Sequence, residues 1–338
     1  MAAYDVFNGD ADGICALHQL RLHQPADNEL ITGVKRDIEL LRRVPATRDA
    51  EVLVLDISLD ANVNELRRLL DGGAKVSYFD HHSADCAFSH PGLRLHCDGA
   101  PDVCTSILVD RHLGGLHRLW AVAAAFGDNL EQPARTLARS LGLNEEITAA
   151  LAQLGHTINY NAYGESEDDL HMAPAALYRA LSPYSNPLDF MASAIYRDLH
   201  AGYRADCVQL QGLQPYWQQP GSAVYLLPAT PWSRRVSGVL ANRLAAQRDG
   251  TSFAVINERS DGDYLVSVRS GDPEARSACA FCQQFASGGG RKAAAGINLL
   301  PAAELTRFIA CFSAYFAPAA PAAAPSTPAA PAGYSHAA

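Results

Sequence analysis

Tyr4-Asp5-Val6-Phe7-Asn8-Gly9-Asp10-Ala11-Asp12-Gly13-Ile14-Cys15-Ala16-Leu17 is the stretch that decides the fold. Tyr4–Phe7 reads as a short strand, residues 8–13 as a polar turn, and Ile14–Leu22 as a helix with Ile14, Leu17 and Leu20 on one face. The pattern continues outward. Leu30–Thr32 reads as a second strand, and Glu51–Asp56 (EVLVLD) is an apolar run suited to a strand buried on both faces. Asp60 is placed to cap a helix through Leu70, whose stripe is Val63, Leu66, Leu69 and Leu70. Gly72-Gly73 ends that helix, and Ala74–Phe79 is the next strand. A β-α-β-α order predicts an α/β fold, a parallel sheet with helices on both faces.

The chain has 338 residues, enough for roughly two domains at ~150 residues each. From Val103 to about Leu213 the pattern is helical. Strands return at Ala223–Leu227, Ser252–Glu258 and Tyr264–Ser270, with helices predicted at Arg235–Arg248 and Arg276–Phe285. We read residues 1–212 as one domain with a helical extension, 213–222 as a linker, and 223–316 as a smaller α/β domain across a cleft. The stretch 317–338, with five prolines and eleven alanines, is read as a disordered tail.

A hydrophobic content of 48% excludes wholesale disorder. No run of 18 apolar residues occurs, so no membrane span is expected. The N-terminus lacks a basic region followed by an apolar one, so the expected location is the cytoplasm. The eight cysteines are accordingly read as reduced thiols. Cys279-Ala-Phe-Cys282 has no second ligand pair with which to complete a zinc site, and reads as two small residues on one helix face.

The net charge of −9 is uneven. Residues 1–222 carry 17 Lys and Arg against 29 Asp and Glu, whereas residues 223–338 carry 10 against 7. Such a chain is a poor non-specific binder of long nucleic acid, which needs clustered basic residues. Its acidic half suits cations, and its basic half suits an anionic substrate.

Acidic motifs recur where strands should end: Asp10 and Asp12 in the opening turn, Asp56, then Asp80-His81-His82; Asp128 follows a helix. In open α/β sheets ligands bind at the carboxyl ends of strands. Carboxylates gathered there repel one another unless a cation neutralises them. Four aspartates with one imidazole and no thiolate suit Mn²⁺, with Mg²⁺ as the alternative. Five side chains suit two ions sharing a carboxylate, an arrangement that clamps a phosphoryl group and generates hydroxide between the ions.

These motifs, in this order, resemble the DHH phosphoesterase family. The segment Ser267-Val268-Arg269-Ser270, with Ser287-Gly288-Gly289-Gly290-Arg291-Lys292 after it, looks like the domain that accompanies DHH in the oligoribonuclease and single-strand exonuclease branch. Together the motifs span residues 5 to 300. The resemblance implies that Asp56 bridges two Mn²⁺ ions. Asp10 would hold the first with it, and Asp12, His81 and Asp128 the second. His82 would contact the substrate phosphate, and Arg269 and the Gly288-Gly289-Gly290 loop, with Arg291, would bind a terminal phosphate or nucleotide. Glycine admits close approach of backbone N–H groups to an anion, and arginine offers a planar fork to phosphate.

Two positions depart from the family pattern. Val6 stands where many relatives have histidine, and Arg291 where histidine usually follows the glycines. Asn8 or water is the expected substitute ligand at the first ion. Arg291 keeps positive charge but cannot donate a proton in catalysis. The polar segment Gly155 to Gly164 is a further candidate for the crevice, with His156 near the missing ligand; the alternative is a helix-end histidine and turn residues. Asp168-Asp169 reads as a solvated turn.

The expected function is hydrolysis of phosphoester bonds in short oligonucleotides or phosphorylated nucleotides by a metal-activated hydroxide. The rival is a non-catalytic nucleotide-binding or regulatory protein that has lost full metal occupancy. The oligomeric state stays open, a homodimer being compatible with the sequence.

Overall fold

The computed structural model describes residues 2–82, 88–247 and 250–317. Cys86 and, beyond Ala317, the alanine-proline tail lie outside them. Strands β1 (Ala3–Phe7), β2 (Glu29–Ile31), β3 (Glu51–Leu55), β4 (Lys75–Asp80) and β5 (Leu93–Cys97) form one sheet in the order β2-β1-β3-β4-β5. Every neighbouring pair is parallel, with Val6 opposite Ile31 on one side and Val54 on the other. The chain leaves β1 toward β2 on one side and returns to β3 on the other. The strand order therefore reverses between β1 and β3, and a crevice opens beyond their carboxyl ends.

Alternation along the strands feeds two cores. Phe7, Leu55 and Phe79 join one with Ile14, Leu17, Trp120 and Ile158. Tyr4, Val6, Val52, Val54, Val76 and Tyr78 join the other with Leu40, Leu66, Leu69 and Leu70. Helices thus cover both faces, as the sequence predicts. They are α1 (Ala11–His23), α2 (Leu59–Asp71), α3 (Thr105–His112), α4 (Arg118–Gly127), α5 (Glu131–Ser140), α6 (Glu145–Tyr160), α7 (Pro174–Leu181), α8 (Pro187–Met191) and α9 (Ala194–Gln209).

Two helix starts differ from expectation. α1 begins at Ala11, because the Asp10 carboxylate accepts the Asp12 and Gly13 N–H groups at 2.9 and 3.1 Å. α2 is capped by Ser58, whose hydroxyl accepts the Ala61 N–H at 3.4 Å; Asp60 sits inside the first turn, where a carboxylate favours the helix dipole. At Gly155 a Cβ would stand 1.9 Å from the Ala123 carbonyl oxygen. Glycine there lets α4 and α6 pack backbone to backbone, which places Asp128 and Asn159 at one edge of the sheet.

The second sheet runs β10-β11-β9-β8-β7-β6, from β6 (Trp217–Gln219), β7 (Ser222–Leu227), β8 (Ser252–Glu258), β9 (Tyr264–Arg269), β10 (Gly288–Gly290) and β11 (Ala294–Leu300). Only β7 and β8 pair in parallel. The stretch 213–222, read as a linker, thus supplies an edge strand. The triple glycine, read as a loop, is likewise a strand paired to β11. Helices α10 (Pro231–Ala245), α11 (Ala278–Cys282) and α12 (Leu305–Tyr315) complete the lobe. Phe281, Phe308, Phe312 and Phe316 pack with ring centroids 4.7–5.9 Å apart where they touch. Cys279 and Cys282 lie one turn apart on α11, and no disulfide joins any of the seven described cysteines.

Buried polar bonds join the lobes. Arg235 on α10 donates to Asp206 at 2.7 Å and to the Tyr160 hydroxyl at 3.1 Å. Arg234 reaches Asp169 and Glu165, each at 2.9 Å. Asp169 is therefore buried and ion-paired rather than solvated, while Asp168 is exposed.

His18 illustrates how pH acts on this core. Its ring lies 4.5 Å from Trp120, edge to face, and its Nε2 is 2.8 Å from the Tyr184 carbonyl. Burial, opposed by that bond, pulls its pKa from 6.5 to about 4. The unfolded chain therefore binds the proton first as pH falls. Stability is complete above about pH 6.5 and is lost as pH falls through the window toward 4. At pH 5 the loss is about 2 kcal/mol relative to pH 7. Urea melts of wild type and His18→Gln at both pH values should differ by that amount; identical pH profiles would contradict it.

Candidate metal centre

Each side chain of the cluster stands at the carboxyl edge of the first sheet. Asp10 and Asp12 follow β1, Asp56 follows β3, His81 follows β4, and Asp128 caps the C-terminus of α4. Asp10, Asp12, Asp56 and His81 are at most 5% exposed. Asp56 adopts a φ of 60°, an uncommon left-handed conformation for a non-glycine residue. The Asp56 N–H donates to the Phe79 carbonyl at 3.0 Å, and Thr105 Oγ1 donates to Asp56 Oδ1 at 3.1 Å. Asp12 accepts the N–H groups of Thr105 and Ser106, both at 2.7 Å, and so is fixed on the first turn of α3.

His81 orients the centre. Its Nδ1 is 3.0 Å from the Val103 carbonyl, which can only accept, so Nδ1 carries the hydrogen. Nε2 then faces Asp56 Oδ1 at 3.3 Å, Asp128 Oδ2 at 3.8 Å and Asp12 Oδ2 at 3.9 Å. A ring nitrogen lone pair among three carboxylate oxygens is repulsive without a cation and is a ready ligand set with one. Asp12, His81 and Asp128 offer ligand atoms within 4.8 Å of one another, as do Asp56, His81 and His82. Burial and the charges of Asp12, Asp10 and Asp128 raise the Asp56 carboxyl well above its ordinary pKa. Burial also raises Asp128, against the pull of Lys35. Cys15 and Cys104 sit beside the cluster, but burial and Asp12 push both thiols up, so they stay protonated. The donors are hard oxygens and one imidazole, a set that fits Mn²⁺ or Mg²⁺.

Asp80 does not join this set. Its Oδ1 is 2.6 Å from His82 Nδ1, and its Oδ2 accepts the Leu59 N–H at 3.3 Å. It positions His82, whose pKa is raised because the bond to Asp80 and the nearby carboxylates outweigh burial.

A cavity of about 690 Å³ leads from His82 and Lys35 to the second lobe. Arg36, Tyr163, Ser267, Arg269 and residues 288–290 line it. Arg36 crosses the cleft to Asn298 Oδ1 at 2.8 Å and Ser267 Oγ at 3.2 Å, and Arg269 donates to Asn242 at 3.0 Å. Among the described residues neither guanidinium has an acidic partner. Burial lowers both pKa values; Tyr163 opposes this in each case, and Arg269 adds to the lowering at Arg36. Gly289 has open space where a Cβ would stand, while at Gly288 a Cβ would meet the Cys282 carbonyl oxygen at 1.8 Å. Arg291 is exposed on the turn between β10 and β11 and is not among the residues that line this cavity. His156 is exposed on α6, its ring 6.5 Å from Phe126, and stands outside the centre. Asn159 of α6 instead accepts from Lys35 Nζ at 3.1 Å.

Two residues escaped sequence reasoning: Lys35 and Arg36. A signal existed for both, a basic pair just past β2 at the same sheet edge as the aspartates. Tyr163 closes the polar segment after α6 and meets the pair only through the tertiary fold; its ring centroid is 5.8 Å from Lys35 Nζ.

Sequence comparison finds no matching family model and no matching curated protein. Solved structures do match. The exonuclease RecJ bound to manganese aligns over 94% of this chain and 90% of its own, at 20% identity and a TM-score of 0.61. RecJ of Thermus thermophilus in complex with Mn²⁺ aligns over 94% of this chain at 20% identity and a TM-score of 0.57, and this chain spans 52% of it. A pGpG-specific phosphodiesterase, PggH from Vibrio cholerae, aligns over 93% of this chain and 100% of its own, at 14% identity and a TM-score of 0.52. The DHH resemblance of the motifs thus meets its expected fold: a parallel-sheet lobe and a second sheet lobe, arranged as in RecJ and PggH.

Proposed function

We propose that this chain is a divalent-metal-dependent phosphoesterase acting on short oligonucleotides or phosphorylated nucleotides. The observation that carries this reading is the pairing of two charge patterns across one cavity. At one end, carboxylates and the Nε2 lone pair of His81 converge as a cation site. At the other, Arg36 and Arg269 present half-buried guanidinium groups with no acidic partner among the described residues.

Asp12, Asp56, His81 and Asp128 would hold the ion, with Mn²⁺ favoured and Mg²⁺ the alternative. A divalent ion there supplies Lewis acidity to a phosphoryl oxygen and acidifies bound water. The residues of the chain do the rest. His82, held by Asp80, donates an N–H toward the phosphate and stabilises developing negative charge. Arg36 and Arg269 bind a second phosphate or the far end of the substrate, and residues 288–290 bring backbone close to it. A cavity bounded by Arg36 and the β10–β11 hairpin suits a substrate of a few nucleotides better than a threaded strand. No helix among the described residues is long and apolar enough to cross a membrane.

The test is incubation with Mn²⁺ and, separately, a short RNA, a short DNA, pGpG and 3′-phosphoadenosine-5′-phosphate. Release of mononucleotide or phosphate that disappears in Asp56→Asn is expected. Tight binding without turnover under any divalent metal would instead make the chain a nucleotide-binding protein.

A further inference from the structure

We propose that Lys35 is a built-in cation that takes the place of one of the two metal ions, so that the chain binds a single divalent ion. The inference rests on the metal-dependent reading above. Lys35 Nζ pairs with Asp10 Oδ2, accompanied by Asn159 Oδ1 at 3.1 Å and Asp128 Oδ1 at 3.5 Å. An ammonium has three hydrogens to donate, and three oxygens surround this one.

The position is constructed by the backbone as well as the charge. The Lys35 N–H donates to the Ala162 carbonyl at 2.8 Å, and the Lys35 carbonyl accepts Asn8 Nδ2 at 3.1 Å. The segment after β2 is thereby tied both to the residues following α6 and to the turn that carries Asp10.

The groups that should hold an ion on Asp10 are already engaged. Asp10 Oδ1 accepts two N–H groups at the start of α1, and Oδ2 faces Lys35. Val6 is fully buried in the aliphatic core and offers no ligand. The side-chain oxygen of Asn8, the expected substitute, accepts the Asp10 N–H at 3.2 Å. The donors around Asp10 therefore do not fit a second divalent ion. Those around His81 Nε2 fit one; among them Asp128 turns Oδ2 to His81 and its other oxygen to Lys35. Lys35 also lines the cavity next to His82, so its fixed charge faces the site of the phosphate.

The experiment is a metal count. Protein saturated with Mn²⁺ and desalted is measured by inductively coupled plasma mass spectrometry and by electron paramagnetic resonance. The expected wild-type result is one ion per chain, with the six-line signal of an isolated Mn²⁺. Val6→His/Lys35→Ala, checked for folding by circular dichroism, is expected to take two ions with a spin-coupled signal. Two ions in the wild type would overturn the proposal while leaving the metal-dependent reading intact. One ion in a folded double variant would also overturn it, because Lys35 would then not be what excludes the second. A wild type that binds none would end both readings. The wild-type count decides even if the double variant does not fold.

Discussion

Asp56→Asn is expected to lose about a thousandfold in kcat and, in the metal-free protein, to melt above the wild type. The loss follows from position. Asp56 Oδ1 is the carboxylate oxygen nearest His81 Nε2, at 3.3 Å, and charge stabilisation at such a centre is worth several kcal/mol. The gain has an opposite origin. Burial and three neighbouring aspartates hold the Asp56 carboxyl far from its preferred ionisation state, so a neutral amide removes repulsion that the fold otherwise sustains. Asparagine is the suitable replacement because it tolerates the left-handed backbone at this position, where φ is 60°. Adding Mn²⁺ should then raise the melting temperature of the wild type and leave that of the variant nearly unchanged. Thermal melts with and without Mn²⁺, beside a turnover assay, check all three results. A variant that melts lower without metal and is still protected by Mn²⁺ would show that the carboxylates are structural.

Arg269→Ala should act on binding rather than on the chemical step. The guanidinium faces the cavity on the lobe away from the aspartates, and its only described side-chain partner is the neutral Asn242. Loss of a charge-assisted fork to phosphate is worth about 2–3 kcal/mol, or roughly 30- to 150-fold. That loss should appear mostly in KM, since contacts remote from the reacting atoms bind substrate and transition state alike. Arg36→Ala should behave similarly, and the double variant should lose roughly 10³- to 10⁴-fold in kcat/KM, less any coupling between neighbours. Arg269→Lys should recover only part, because a point charge does not replace the planar fork. The folded protein should not suffer from Arg269→Ala, since removing one of two adjacent cations relieves repulsion. A fall in kcat at constant KM would place Arg269 in the chemistry instead.

The parallel sheet was legible because each of its first strands reads as an apolar run ending on a charged turn. Asp10, Asp56 and His81 each follow such a run, so the sheet edge and the metal cluster emerged from the same pattern. β5 was not legible: Leu93-Arg94-Leu95-His96-Cys97 is a half-exposed edge strand with little apolar signal. The triple glycine misled for a related reason. Glycine normally marks a turn, yet here pairing with β11 fixes it as a strand, a tertiary effect that local propensity does not carry. Lys35 is not legible as a site residue, because the acidic excess of residues 1–222 outweighs it. A lone basic pair inside an acidic half looks like surface, until β2 is seen to end beside β1.

The most direct measurement is an anomalous difference map from a crystal of the intact protein soaked in Mn²⁺, recorded at the manganese edge. The expected result is one peak per chain, coordinated by His81 Nε2 and carboxylate oxygens of Asp12, Asp56 and Asp128, with Lys35 still on Asp10. A map with no peak there at saturating Mn²⁺, or with Mn²⁺ bound only at the protein surface, would contradict the metal centre and the hydrolase reading with it.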